Sequence, residues 1–241
     1  MERAGRETGV GQTVWDAICA TRQLVDTNTN LGTVLLLAPL AAVPRDTDLQ
    51  EGVRLVLSGL NPADARQVYQ AIGLAAAGGL GRVPEWDVAG PAPLDLLPAM
   101  RAAADRDLVA RQYSNNFADL FQFVIPSLRD GLDARLGLTA AVVQAHLRLM
   151  AHYPDSLIAR KCGPDVAAEA AARAAKVLQA GPPPAAAYQQ AVADLDFWLR
   201  SDGHRRNPGT TADLIAAGLF ALLRDEIIEP DRARGALWKS G

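Results

Sequence analysis

Residues 202–213, Asp202-Gly203-His204-Arg205-Arg206-Asn207-Pro208-Gly209-Thr210-Thr211-Ala212-Asp213, run directly into the apolar stretch 214–223. Pro208 and Gly209 mark a turn, and Thr210 stands as an N-cap with Asp213 three residues on. A helix that starts there offers free backbone N–H groups and the positive end of its dipole. With Arg205 and Arg206 immediately before it, the mouth suits an anion such as a phosphate. A capped core helix accounts for the same residues without any ligand.

A second stretch has the same grammar. Asp26-Thr27-Asn28-Thr29-Asn30-Leu31-Gly32-Thr33 opens the apolar run Val34-Leu35-Leu36-Leu37-Ala38-Pro39-Leu40. One cap needs one Asn or Thr, and here several stand in a row, so the surplus points to a site as well as to capping. Burying both apolar helices in one core is expected to bring the two polar mouths into one pocket. Asp107, Arg111, Asn115 and Asp119 recur at four-residue steps and would form one polar stripe on a helix. That stripe is either a solvated face or a site wall. His146 and His152 read as packed or surface histidines, because no Ser or Cys nucleophile signature accompanies them.

The elements that must carry these residues are helical. Apolar spacing predicts helices over 13–25, 48–57 and 62–74, with Asn61 as N-cap and Pro62 at the first helical position. The longest pattern, 98–124, carries the polar stripe, and Pro126 should kink or end it. Further helices are expected over 139–151, from Tyr153 to Lys161, over 165–180 and over 185–199. Gly78-Gly79-Leu80-Gly81 lacks a preceding strand and a lysine-serine ending, so it reads as a connection rather than a P-loop. Glu85-Trp86-Asp87-Val88 carries the chain onward. No strand alternation or repeat is present, which makes the chain all-α. It is expected to form a single domain over 1–241 with buried central helices, fraying at 1–12 and 230–241.

Composition narrows the partners. The chain has 241 residues, 49% hydrophobic and 21% charged, with a formal net charge of −3. One sizeable core is affordable at that length. The charge leaves no electrostatic footprint for a nucleic-acid backbone, so no nucleic-acid partner is expected. Cys19 and Cys162 stand alone without metal-ligand spacing and suit a reducing compartment. The apolar run 31–43 contains Pro39 and is too short to span a bilayer, and no apolar signal core follows Glu2, Arg3 and Arg6. A cytoplasmic protein without membrane contact is expected. Its oligomeric state is not encoded in any pattern found.

Asn28-Thr29-Asn30-Leu31-Gly32, Pro154-Asp155-Ser156 and Asn207-Pro208-Gly209-Thr210-Thr211-Ala212-Asp213-Leu214, in this order, resemble the triphosphoribosyl-dephospho-CoA synthase family over about residues 9–225. Those enzymes make the prosthetic-group precursor of citrate lyase and malonate decarboxylase from ATP and 3′-dephospho-CoA, releasing adenine. The resemblance implies a site for small-molecule nucleotides, with ATP as substrate and magnesium on its triphosphate. Asn28, Thr29, Asn30, Arg111, Asn115, Asn207, Gly209, Thr210 and Thr211 would bind the nucleotide. Arg205 and Arg206 would neutralise phosphate oxygens. Asp155 and Asp213 would be catalytic, and Asp119, Asp155 and Asp213 would serve the metal.

In one respect the chain departs from the family pattern. Members usually carry a Lys-Pro-Gly-Asn-Val-like segment near the start, and none occurs before Thr13. The resemblance therefore also admits a degenerate, non-catalytic nucleotide-binding member, or a start that lacks the segment. A related ribosyl transferase or hydrolase in another cofactor pathway is the third reading.

Overall fold

A computed structural model describes residues 9–25, 27–75 and 90–229. The glycine cluster at 78–81, the segment 85–88, Asp26, residues 1–8 and the tail from 230 lie outside the described residues. Every regular element among the described residues is helical: twelve α-helices and one π-helical turn. The chain is all-α, as its lack of strand alternation predicts. Its contacts divide it into two compact units, Met1–Ala118 and Asp119–Gly241.

The first unit contains α1 (Val10–Arg22), α2 (Leu31–Ala41), α3 (Leu49–Ser58), α4 (Pro62–Leu74), α5 (Leu96–Ala103) and α6 (Leu108–Ser114). α1 packs on α4 and α2, and α2 also meets α3 and α6. Asn61 and Asp64 form a capping box at the start of α4, with Pro62 in its first turn. Asp64 reaches further, because its Oδ1 accepts the Gly11 N–H at 2.8 Å. A Cβ on Gly11 would lie 2.4 Å from the Asp64 Cα, so only glycine allows the two helices this approach. That bond extends α1 back to Val10, three residues before its expected start, and residues 10–12 are helical rather than frayed.

α2 contains Pro39, whose missing N–H leaves the Leu35 carbonyl without its usual donor four residues on. The Tyr113 hydroxyl, on α6, donates to that carbonyl at 2.7 Å. A proline inside a buried helix is thereby tolerated. Burial, and to a lesser degree the Asp64 carboxylate, raise the Tyr113 phenol well above its ordinary pKa, so it stays a donor.

The expected helix over 98–124 is broken, and the polar stripe with it. α5 ends at Ala103, and Asp107 caps α6 by accepting from Val109 N at 2.8 Å and Ala110 N at 3.2 Å. At the other end Asn116 and Phe117 take positive φ angles of 55° and 61°. Phe117 N donates to Gln112 O at 2.8 Å, and its buried ring lies 5.9 Å from that of Tyr113. This six-to-one bond with a hydrophobic contact is a helix-terminating motif, and Asn is one of the few residues that accept the left-handed position. Asn115 and Asn116 stop a helix instead of decorating one.

The second unit holds the π-helical turn Leu120–Val124, α7 (Ile125–Asp133), α8 (Leu138–His152), α9 (Ser156–Cys162), α10 (Pro164–Gln179), α11 (Ala186–Arg200) and α12 (Gly209–Arg224). Pro126 falls in the first turn of α7, just after the wide π-helical turn, so the chain stays helical through 120–133 where a stop or kink was expected. A π-helical turn changes the hydrogen-bond spacing at the point where proline has no N–H to give. α10 packs on α8, α9 and α11, and α12 contacts α7, α8, α9 and the π-helical turn. Leu214, Ile215, Ala217, Ala221 and Leu222 of α12 are all buried. Each buried leucine or isoleucine contributes about 2 kcal/mol.

Candidate functional site

α8 ends at His152, Tyr153 turns the chain into extended backbone, and Asp155 caps α9. The Asp155 side chain is fully buried at 0% exposure. Its Oδ1 accepts from Leu157 N at 2.8 Å and Ile158 N at 3.0 Å. Its Oδ2 accepts from Thr211 N at 2.7 Å and from the Thr211 hydroxyl at 2.8 Å. Ser156 donates its hydroxyl to Thr210 Oγ1 at 3.0 Å. Two stretches some 55 residues apart in sequence, Pro154-Asp155-Ser156 and Gly209-Thr210-Thr211, are thus joined by side-chain bonds.

An anion does sit at the mouth of α12, as the free N–H groups and dipole require, but it is the protein's own Asp155 carboxylate. This corrects the expectation of Thr210 as N-cap: Pro208 occupies that position, and Thr210 and Thr211 lie in the first turn, both buried. The same four bonds make Asp155 a pin between α9 and α12. Gly209 fits under α9, since a Cβ there would meet Leu157 Cδ2 at 2.6 Å.

Arg205 and Arg206 are engaged at helix C-termini instead of lying over the mouth. Arg205 Nη2 donates to Lys161 O at 2.8 Å, near the end of α9. Arg206 Nη1 donates to Trp198 O at 2.7 Å and Ser201 Oγ at 3.3 Å at the end of α11. Its guanidinium lies 4.5 Å from the Trp198 ring centre, and Arg173 lies at the same distance from that ring. Unpaired carbonyls and the negative end of a dipole attract these cations. Arg205 is exposed and Arg206 is half-buried.

Asp119 is buried and accepts the Tyr153 hydroxyl at 2.9 Å. Tyr153 packs edge-on against His152 and Phe123, and Phe123 stacks on His152 at 4.6 Å. The segment 153–156 therefore touches Asp119 on one side and α12 on the other. Asp213 is half-buried on α12, and Asn207 is exposed just before it. His146, on α8, has its pKa lowered by burial, with the Asp155 charge opposing that shift. Neither Tyr153 nor His146 stood out in the sequence as part of a site; only the Pro-Asp-Ser step beside them did.

In the first unit, Asn28 Oδ1 accepts the N–H of Leu31, the first residue of α2, at 3.1 Å, and Asn30 occupies the N-cap. Asn30 Nδ2 donates to Thr21 Oγ1 at 2.9 Å, tying α2 to α1. Thr29 is exposed. Asn28 and Asn30 thus have structural partners within the first unit. Arg111 is half-buried on α6, and Asn115 Oδ1 accepts Ala118 N at 3.1 Å at its C-terminus.

Among the described residues no three His, Cys, Asp or Glu side chains group as a metal site. No helix among them is long and apolar enough to cross a membrane. The family model CitG, ATP:dephospho-CoA triphosphoribosyl transferase, matches residues 1–231. Among solved structures, a candidate triphosphoribosyl-dephospho-CoA synthase from Archaeoglobus fulgidus superposes with a TM-score of 0.72 at 25% identity, covering 93% of each chain. No curated protein matches the chain.

Proposed function

The chain belongs to the ATP:dephospho-CoA triphosphoribosyl transferase family, and from that premise we propose that its reacting groups gather where segment 153–156 meets the first turns of α12. The enzyme transfers the triphosphoribosyl group of ATP to dephospho-CoA. The C1′–N9 bond of ATP breaks with its electrons leaving on adenine, and the acceptor hydroxyl oxygen bonds to C1′. The hydroxyl proton must then pass to a base.

Asp213 is the base in this reading, and Asp155 is a positioning residue that holds the α12 turn through Thr211. The supporting observation is the Asp155 clamp, which joins two of the family's motif stretches in one place. Asn207 and Thr210 bind the nucleotide beside it. Arg205 is the cation free enough to reach a triphosphate, since its one exposed bond to a carbonyl is readily exchanged. Magnesium carried by the triphosphate would supply charge neutralisation, and Asp119 or Asp213 suits it better than Asp155. Both oxygens of Asp155 already face two donors each, leaving no lone pair for a cation.

Adenine release from ATP, followed with and without dephospho-CoA, tests the reaction. Release that depends on the acceptor is expected. Release without acceptor would mean a ribosyl hydrolase, and none at all would mean a binding protein.

A further inference from the structure

A groove of about 610 Å³ runs between α8 and α11, a volume in the range of small-molecule sites. Its walls are apolar, with Val142, Val143 and Leu147 from α8 and Val192, Leu195 and Leu199 from α11. Two polar groups interrupt these walls, His146 on α8 and Asp196 on α11. Gln189 stands at one end of α11, and Arg200, His204 and Asn207 stand at the other, where Pro208 leads into the first turn of α12. From Gln189 to Arg200 the helix rises about 16 Å.

Charge decides what could lie there. Asp196 and Arg200 line the groove as an ion pair at 2.8 Å and cancel one another. A long anion such as a triphosphate has no net attraction into it and would lose hydration against the apolar walls. A slender uncharged chain with methylene and methyl groups and a few amides fits instead. Resting on the function proposed above, we infer that this groove binds the pantetheine arm of dephospho-CoA. The arm is comparable in span to about four extended residues, roughly 14 Å, and so matches the groove. Its pyrophosphate end lies outside the apolar walls, at His204 and Asn207 beside the α12 turn, and its thiol end lies toward Gln189.

Occluding the groove tests this. Ala193 and Val143 both line it and are exposed, so a larger side chain at either position is compatible with folding. Ala193→Trp, and independently Val143→Trp, should lower the ratio of kcat/KM for dephospho-CoA to that for ADP, an acceptor lacking the arm, by at least about tenfold. An unchanged ratio in both variants, with circular dichroism showing intact helices, would overturn the proposal. Should the wild-type protein transfer nothing, the proposed function fails but the groove is still judged by calorimetric titration. Preference for dephospho-CoA over ADP in the wild type, lost in Ala193→Trp, supports the groove; equal affinities in the wild type overturn it.

Discussion

At the scale of single residues, Asp155 shows how a carboxylate at a conspicuous motif can serve architecture. It is fully buried, and its four bonds come from two helices that meet only in the folded chain. Hydrogen bonds to a charged acceptor contribute about 1.5–3 kcal/mol each. Asp155→Asn keeps one acceptor oxygen but turns an amide N–H₂ toward donors. Chemical denaturation should show a loss of roughly 3 kcal/mol. A variant of native stability that has lost activity would return Asp155 to the chemistry. His146 carries a second residue-level consequence. Its folded pKa is depressed below the ordinary 6.5, chiefly by burial. The unfolded chain therefore binds the proton more readily, so stability is complete above pH 6.5 and declines as pH falls through and below that value. His146→Gln should flatten this acid limb in thermal melts taken between pH 7 and pH 5. A limb of unchanged slope would exclude His146 as its source.

At the scale of elements, the helix starts were the most legible feature of the sequence. Asn61 caps α4 and Pro62 opens it as their spacing indicates, and the helix read from 48 starts at Leu49 with Asp48 as its cap. Interruptions were less legible, because apolar periodicity continues across a break when both helices bury the same kind of face. Asn115-Asn116 fitted the polar stripe and the left-handed stop equally well, and only the Phe117 N–H to Gln112 bond separates the two. Pro39 is the opposite case, a breaker inside a helix that does not break. Its tolerance depends on the Tyr113 hydroxyl supplying the donor that Leu35 lacks. Tyr113→Phe should cost about 1–3 kcal/mol, the penalty of a buried unpaired carbonyl. Pro39→Ala in the same chain restores an N–H four residues beyond Leu35 and should recover most of that loss. A double-mutant cycle by urea denaturation reads the coupling, and strictly additive effects would refute the pairing.

At the scale of the whole molecule, an all-α chain of net charge −3 must bind two polyanionic substrates. Local arrangement, not overall charge, has to supply the attraction. The three motif stretches were visible in the sequence, but the partners of their side chains were not, because those partners lie tens of residues away. Asp155 and Asp213 looked alike as motif carboxylates, and only burial and bonding distinguish them. That distinction can be tested on the whole protein with one substitution. Asp213→Asn is isosteric and half-buried, so the thermal midpoint of the free protein should move little. If Asp213 is the base, acceptor-dependent adenine release should fall about 10²–10⁴-fold. Binding should persist in the variant, because nucleotide at a hundred times its Kd stabilises the folded chain by about 2.7 kcal/mol whether or not a proton can be removed. The rise in thermal midpoint with ATP and magnesium should therefore match that of the unmodified protein. Loss of the magnesium-dependent part of that rise would instead make Asp213 a metal ligand and leave the base elsewhere. Turnover retained at full rate would reduce Asp213 to part of the helix surface.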